Sequence, residues 1–313
     1  MKIHFWGVRG SIPTPLSPQQ IRQKIDAVVE RITPQDIAGD EDKKRFLASL
    51  PKWLYGTTGG NTPCVEVTTA DNSRLILDAG SGIRVLGKQA APPENAEFHI
   101  LMSHLHWDHI QGLPFFDYAF RKDYTLHIYS ANPQAKDIFR QQMTAPLLFP
   151  VPLEAFTPNL YFHTVEAGYP FTIGSSRIIT KKMKHPGASY AYAITDRNKK
   201  FIYATDVELT NSDFERTREN TAFFENAAAL VVDAQYLVGE AIQKENWGHS
   251  PFCYAIDFAD FWKIGSLYLF HHEPEYDDER LDAILKSAQW YSDTVTRTHV
   301  RVYKAEEDVT VQI

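Results

Sequence analysis

Apolar runs of strand length recur along the whole chain and are separated by polar, turn-rich segments. Runs of this length bounded by Gly, Pro, Asn or Asp are typical of buried β-strands. They predict strands at residues 3–6, 64–69, 74–77, 98–102, 125–129, 161–165, 177–183, 192–195, 201–204, 229–232, 266–270 and 298–303. Apolar residues at helical spacing predict helices at 18–32, 40–50, 115–118, 135–142, 211–226, 251–262 and 278–291. The chain therefore contains both predicted strands and predicted helices, as in an α/β domain.

The segment at about residues 16–55 differs from the rest because it carries helical and no strand periodicity. Its first helix shows an apolar stripe made of Ile21, Ile25, Val28, Val29 and Ile32. We interpret the segment as a helical insertion between the first two strands. A lid over a functional site, a dimer contact and a plain surface addition remain open as its role.

The chain of 313 residues is long enough for one large α/β domain or two small ones. No repeat, low-complexity stretch or linker divides it, so we predict a single domain over residues 1–313. Hydrophobic residues make up 43% and charged residues 23%, as in ordinary globular proteins.

Compartment is indicated by the N-terminus and by the cysteines. The first residues lack the apolar core of a signal peptide, and no run approaches the roughly 18 apolar residues of a membrane helix. Cys64 and Cys253 are too few for a disulfide framework and too far apart for a Cys-x-x-Cys site. We therefore expect a cytoplasmic protein that does not enter a membrane.

The formal net charge of −7 disfavours binding of long polyanions such as nucleic acid. The only tight basic clusters are at residues 181–184 and 199–200. Both lie beside predicted strands, where we interpret them as solvated faces. The charge therefore favours a small substrate.

The strongest chemical signal is the stretch at 103–109, which follows the apolar run 98–102. It contains His104, His106, Asp108 and His109 in the pattern H-x-H-x-D-H. Imidazole and carboxylate groups are the usual ligands of Zn²⁺ and similar metals. His104 and His106 lie two residues apart and share one face of an extended chain, whereas Asp108 and His109 point elsewhere and suit a second metal. The pattern therefore predicts half of a two-metal site rather than packed core histidines.

Other polar residues follow predicted strands in the same way. They are His185, Asp206, Asp233 and His271. If the strands form two packed sheets, their ends can meet at one rim, where open α/β folds place their ligands.

The central motif resembles the signature of the metallo-β-lactamase fold superfamily. The segments at 59–62 and 185–189 resemble its phosphodiesterase and RNase Z-like branch. The resemblance implies an αββα sandwich of two mixed sheets flanked by helices. It also implies two divalent metal ions, for which we expect Zn²⁺ or Mn²⁺, with Fe²⁺ as an alternative.

The resemblance assigns the metal ligands residue by residue. The first metal is expected to bind His104, His106 and His185, and the second Asp108, His109 and His271, with Asp206 bridging the two. We choose His271 over its neighbour His272 because His271 directly follows the predicted strand 266–270.

Further residues acquire roles through the same resemblance. Asp78, at the end of the strand 74–77, is expected to support the ligands. His249, in the segment 246–251, resembles a His-Ser/Thr motif and is expected to donate a proton with help from Asp233 and Asp108. Family members often carry Glu in place of Asp233, and His249 could instead only cap a helix. The Gly-rich loop at 7–13 either borders the site or is plain turn chemistry. The other isolated histidines are interpreted as structural, namely His4, His99, His127, His163 and His299.

We predict a dinuclear metal-dependent hydrolase, a phosphodiesterase for a small or cyclic nucleotide with a metal-bound hydroxide as nucleophile. Two dications, two carboxylates and one hydroxide give the centre a net charge of about +1, which one singly charged diester neutralises. A homodimer is expected by analogy with relatives alone.

Four alternatives fit the sequence less well. An RNase Z-like RNA endonuclease carries a tRNA-binding arm where this chain has only the hairpin 190–204. A thioester, lactone or β-lactam hydrolase would leave His249 without a purpose. A binding protein on a retired enzyme fold predicts broken ligands, and none is missing. A redox diiron role is disfavoured because His106 stands where those relatives carry a glutamate.

Overall fold

A computed structural model describes residues 1–313 and contains two seven-stranded sheets packed face to face. The strands in chain order are β1 (Lys2–Gly7), β2 (Cys64–Thr68), β3 (Arg74–Leu77), β4 (Glu97–Met102), β5 (Thr125–Ser130), β6 (Leu160–Thr164), β7 (Phe171–Ile173), β8 (Ser176–Met183), β9 (Ser189–Asp196), β10 (Lys199–Ala204), β11 (Ala229–Asp233), β12 (Ser266–Phe270), β13 (Arg301–Lys304) and β14 (Thr310–Gln312). The first sheet has the order β14-β1-β2-β3-β4-β5-β6 and the second the order β13-β12-β11-β10-β9-β8-β7.

Helices lie outside the two sheets. They are α1 (Pro18–Val29), α2 (Asp40–Ser49), α3 (Lys52–Tyr55), α4 (Gly82–Gln89), α5 (Trp107–Ile110), α6 (Ala135–Gln142), α7 (Arg218–Phe224), α8 (Val238–Gln243), α9 (Phe252–Phe261) and α10 (Asp278–Val295). Short 3₁₀ turns occur at Pro34–Ile37, Leu113–Phe115, Asp117–Phe120, Leu153–Ala155 and Asn211–Phe214. None of the helices combines the length and the apolar character that crossing a membrane requires.

Both sheets are mixed. In the first sheet β3, β4, β5 and β6 run parallel, and in the second β10, β11, β12 and β13 do, while the remaining pairs are antiparallel. One apolar core lies between the sheets, and two others lie between each sheet and its helices. The predicted αββα sandwich is confirmed.

Most strands begin and end within a few residues of their predicted positions, but some helices do not. The predicted helix at 211–226 is a 3₁₀ turn followed by α7, because Thr217 caps a new helix by accepting a hydrogen bond from the Asn220 amide. The predicted helix at 115–118 is replaced by two 3₁₀ turns. Helix α4 was not predicted because it contains two glycines, which have a low helix propensity. The tertiary structure requires glycine at position 82, since a Cβ atom there would lie 2.5 Å from the Trp6 carbonyl oxygen.

The helical insertion contains α1, α2 and α3. Its apolar stripe does not face the main core, since Ile21, Ile25 and Val29 are exposed. The other stripe residues, Val28 and Ile32, pack against a small apolar cluster within the insertion that contains Phe46, Leu50 and Leu54. The Lys24 ammonium also lies 2.6 Å from a carboxylate oxygen of Asp278 at the start of α10. Its role as a lid or dimer contact stays a prediction.

Candidate dinuclear metal centre

The seven predicted metal ligands come together at one edge of the sandwich. His104 follows β4, His185 follows β8, Asp206 follows β10 and His271 follows β12. One group of facing ligand atoms comprises His104, His106 and His185, and a second comprises Asp108, His109, Asp206 and His271. Within each group the ligand atoms lie within 4.8 Å of one another.

The local backbone divides the central motif between the two groups. His106 is extended, with φ −65° and ψ 157°, and helix α5 begins at the next residue. The two histidines before this change of conformation therefore point to the first group. Asp108 and His109 lie on the helical turn and point to the second.

Asp206 connects the groups through its two carboxylate oxygens. Oδ1 lies 3.7 Å from Nε2 of His104 and 3.8 Å from Nε2 of His185. Oδ2 lies 3.1 Å from Nε2 of His109 and 3.3 Å from Nε2 of His271. One oxygen thus faces each group, as a bridging ligand requires.

The second group closes around Asp108. Its Oδ2 atom lies 3.2 Å from Nε2 of His109 and 3.2 Å from Nε2 of His271. The amide of Ser11 donates to the same oxygen at 2.9 Å. Gly10 lies directly against His271, because a Cβ at Gly10 would be 2.6 Å from Nδ1 of His271. The loop at 7–13 therefore borders the site and is more than a turn.

Unpaired buried nitrogens fit the presence of metal ions. Nε2 of His104 and Nε2 of His109 are buried without a hydrogen-bond partner. An unsatisfied buried polar atom costs about 1–3 kcal/mol, so two of them facing carboxylates in one cluster need a further partner. Five imidazoles and two carboxylates form a donor set that suits a pair of divalent metals.

The electrostatics of the two groups also fit cations. Burial lowers the pKa of His104, His106 and His185, which keeps these imidazoles in the neutral form that coordinates metal. Burial also disfavours the charged form of His109, but Asp206, Asp108 and Asp78 outweigh it and raise the His109 pKa well above its usual value. The second group therefore attracts positive charge, which a metal ion supplies in place of the proton.

Three residues of the site have a left-handed backbone. Asp78, Asp206 and His271 have φ values of 63°, 52° and 59°, in the region that non-glycine residues rarely adopt, and ten other non-glycine residues of the chain share it. Such a conformation costs about 1–3 kcal/mol and persists where the surroundings hold it. Asp78 and His271 directly follow β3 and β12, and Asp206 lies two residues after the end of β10.

Asp78 supports the site from behind. It is fully buried and accepts hydrogen bonds from the amide and hydroxyl of Ser103, each at 2.7 Å, and from the Tyr203 hydroxyl at 2.8 Å. Its Oδ2 also lies 2.8 Å from Nδ1 of His109. This contact places the His109 proton on Nδ1 and leaves Nε2 free to face the metal position.

We expect Asp78→Asn to weaken metal binding by about 10–100-fold, because the amide no longer holds the His109 ring and its tautomer as the carboxylate does. Competition with a chromogenic chelator measures this affinity. The matched control is Asp196→Asn, another buried aspartate, which bonds Ala70 and Ser175 at the opposite end of β9. Unchanged affinity in the Asp78 variant would contradict the supporting role.

His249 and Asp233 form a pair beside the two metal-ligand groups. Nδ1 of His249 lies 2.7 Å from Oδ2 of the fully buried Asp233, whose Oδ1 accepts from the Ser250 amide at 2.9 Å. The His249 ring stacks on His271 with centroids 5.0 Å apart. Helix α9 has no side-chain cap, so the alternative that His249 only caps a helix is wrong.

Asp233 favours the charged form of the His249 imidazole. Burial acts to lower its pKa, but the charge and hydrogen bond of Asp233 outweigh burial and raise the pKa to about 9. Asp108, the other predicted partner, has its nearest contacts with His109, His271 and Ser11. The hydrogen bond that orients His249 comes from Asp233.

The pair also belongs to a third group of close ligand atoms, which adds Asp206 and His271. Because His249 and Asp233 already bond each other at 2.7 Å and the other two face the second metal-ligand group, we interpret the pair as an acid with its orienting carboxylate.

Several residues that surround the candidate site were not predicted from the sequence. Tyr203 lies inside an apolar strand and carries no signal that its hydroxyl reaches Asp78. Gln235 and Tyr236 follow Asp233 directly, and that position after a strand was a usable signal. Gln235 donates to Glu273 at 2.9 Å, and the Tyr236 ring lies edge-on to His249 at 5.6 Å.

The remaining histidines lie outside the site. His272 is buried, and its Nε2 lies 2.9 Å from the Ala305 carbonyl oxygen. Burial, together with the charge of Arg9, lowers its pKa to about 3. His99, His127 and His163 contact one another or tyrosines on β4, β5 and β6. His4 bonds Thr310 at the outer edge of the first sheet.

Comparison with known proteins gives one family. The sequence model described as "Beta-lactamase superfamily domain" matches residues 73–272, more than half of the chain and a range that contains all seven predicted ligands. No curated protein matches the sequence.

Solved structures share the fold at low sequence identity. YhfI from Bacillus subtilis, a metallo-β-lactamase fold protein, has a TM-score of 0.66 and 19% identity, over 99% of this chain and 98% of its own. Human tRNase Z, short form, has a TM-score of 0.61 and 16% identity, over 100% and 99%. A diphosphatase from the PhnP family has a TM-score of 0.61 and 14% identity, over 100% and 97%. At these identities the likeness shows a common fold.

Proposed function

This chain belongs to the β-lactamase superfamily, and from that premise we propose that it is a dinuclear metal-dependent phosphodiesterase for a small or cyclic nucleotide. The observation that carries the proposal is the pairing of two ligand groups, bridged by Asp206, with a proton-donating His249–Asp233 pair beside them. A departing alkoxide needs an acid in addition to the metals.

The seven ligands would hold two divalent ions, with His104, His106 and His185 on one side and Asp108, His109 and His271 on the other. Imidazole and carboxylate donors accept Zn²⁺, Mn²⁺ and Fe²⁺. When bound, the ions supply a water of pKa about 7 as nucleophile and neutralise charge on the phosphate. The two carboxylates leave the centre cationic, which favours an anionic diester as substrate.

The chain's own contribution to bond cleavage is the proton. Water adds to phosphorus, the bond from phosphorus to the departing oxygen breaks, and Nε2 of His249 gives its proton to that oxygen. One proton from the water balances the reaction and restores the imidazolium before the next turnover. Asp233 keeps the ring oriented and charged, since it bonds Nδ1 and leaves Nε2 as the donating atom.

The competing substrates fit the chain less well. Between His185 and Asp206 the chain forms only the hairpin of β9 and β10, with no arm to grip tRNA. The net charge of −7 also opposes a long polyanion. A thioester hydrolase gives no role to the His249–Asp233 pair, because a thiolate departs without a proton. A lactone or β-lactam hydrolase would use such an acid, and the substrate panel below separates these activities from phosphodiester cleavage.

A substrate panel tests the proposal. We expect the metal-loaded protein to hydrolyse bis(p-nitrophenyl) phosphate and at least one 2′,3′- or 3′,5′-cyclic nucleotide, with the activity lost on chelation and restored by Zn²⁺ or Mn²⁺. A thioester, a lactone, a β-lactam and a precursor tRNA complete the panel. Cleavage of a carbonyl substrate or of the tRNA alone would overturn the assignment.

A further inference from the structure

An open groove adjoins His249 on the side away from the sheets. Its volume is about 300 Å³, near the lower end for small-molecule sites, and it is formed by α8, the start of α9 and the segment after β10. His249 itself is part of the wall, so the groove is continuous with the proposed proton donor.

Half of the ten residues in the wall are hydrophobic. Buried Leu209 lines the groove, together with Val238, Ile242 and Tyr254, which are 45%, 73% and 49% exposed. Large apolar side chains exposed together on one concave surface are a mark of a binding site. This surface lies next to the chemistry rather than on a remote face.

The groove also has a charge. Glu208 and Glu245 line it, and no lysine or arginine does. Glu208 is neutralised by the Lys184 ammonium and accepts from the Gly248 amide. Glu245 is exposed and has no ion-pair partner, so it gives the groove a net negative charge.

The nearest cation along the chain is engaged elsewhere. The Lys244 ammonium lies 4.3 Å above the Tyr236 ring and 3.8 Å from Glu273. Lys244 is not part of the groove wall. It therefore leaves the charge of Glu245 uncompensated within the groove.

We propose that this groove binds the departing alcohol of the phosphodiester and selects neutral or cationic alcohols over anionic ones. The inference rests on the proposed function, because it needs His249 to protonate the departing oxygen. The substituent on that oxygen then lies beside the His249 ring, and His249 is part of the groove wall. A nucleoside hydroxyl without a further phosphate fits this surface, whereas the next phosphate of an RNA strand would meet Glu245 and an apolar wall.

Three methyl aryl phosphates test the inference on the metal-loaded protein. Their phenols have similar acidity and differ in charge: 4-propylphenol is neutral, 4-(2-aminoethyl)phenol is cationic and 4-(2-carboxyethyl)phenol is anionic. We expect kcat/KM for the neutral and cationic esters to exceed that for the anionic ester by about tenfold or more, as one unit charge at close range allows.

A charge reversal in the groove should reverse the order. In Glu245→Lys the ratio of kcat/KM between the cationic and anionic esters should fall below one. The matched control, Glu166→Lys, makes the same charge change at an exposed residue beyond β6 and should keep the wild-type ratio.

The outcomes separate the two proposals. If all three esters are cleaved with equal kcat/KM and Glu245→Lys changes no ratio, the groove assignment is wrong and the phosphodiesterase proposal stands. If no ester is cleaved while a carbonyl substrate is, the proposed function fails and the groove assignment fails with it.

Discussion

Replacing His249 with alanine should lower turnover of a diester with an alkoxide leaving group by about 10²–10⁴-fold, the usual contribution of a general acid. The reason is that the variant lacks the imidazole that Asp233 orients and that is proposed to give its proton to the departing oxygen. Metal content should stay at the wild-type level, because His249 bonds Asp233 and only stacks on the ligand His271. Steady-state kinetics on a methyl alkyl phosphate or a cyclic nucleotide, beside metal analysis of the same sample, measures both quantities.

Bis(p-nitrophenyl) phosphate is the internal control for this variant. Its departing p-nitrophenolate is stable as an anion and needs little protonation, so the same variant should lose far less activity on it. The matched protein control is His127→Ala, which removes a histidine on β5 that packs against the rings of His99 and His163. An equal loss on both substrates would indicate damage to the metal centre and would argue against proton donation by His249.

Replacing Asp206 with alanine should have the second large effect, because both of its oxygens face ligand groups. We expect fewer than two metal ions per chain and a loss of turnover of at least about 10²–10³-fold. Removal of one hydrogen bond that stabilises charge in the transition state lowers turnover by this factor in other enzymes. Loss of a divalent metal ion should lower turnover by at least as much.

Atomic emission on dialysed protein gives the metal content of this variant, and bis(p-nitrophenyl) phosphate gives its rate. Asp196→Asn serves again as the buried-aspartate control and should keep two ions and wild-type turnover. Retention of both ions and near-normal turnover in Asp206→Ala would rule out a bridging role.

The positions of the ligands were predictable because the signal is local. His104, His185, Asp206 and His271 each stand immediately after an apolar strand, and strands of packed sheets end at shared edges. The spacing within the central motif also separates two ligand groups once the chain turns from extended to helical after His106. The αββα sandwich was predicted from the resemblance of the central motif, and the mixture of predicted strands and helices agrees with it.

Other features depend on contacts that the sequence does not encode locally. The left-handed backbone of Asp78, Asp206 and His271 is imposed by the surrounding fold, since none of these residues favours it as glycine does. The Tyr203 hydroxyl reaches Asp78 from within a strand whose pattern indicates only core. In α1, the apolar stripe does not show which of its residues are covered: Ile21, Ile25 and Val29 are exposed, whereas Val28 and Ile32 pack on a small cluster within the insertion.

The groove beside His249 could not be predicted from the sequence either. Its wall combines α8, which was not predicted, with Leu209 and Tyr254, which are far apart in sequence. Helix α8 is short, and short helices give weak periodicity. Only the tertiary arrangement shows that its exposed apolar residues adjoin His249.

The most direct test of the central claim is a metal titration of chelator-treated, metal-free protein. The hydrolysis rate of bis(p-nitrophenyl) phosphate is measured as Zn²⁺ or Mn²⁺ is added, and bound metal is counted in parallel. The two ligand groups bridged by Asp206 predict a rate that rises to a plateau at two bound ions per chain. A plateau at one bound ion, or no hydrolysis by protein that holds two, would contradict a dinuclear phosphodiesterase.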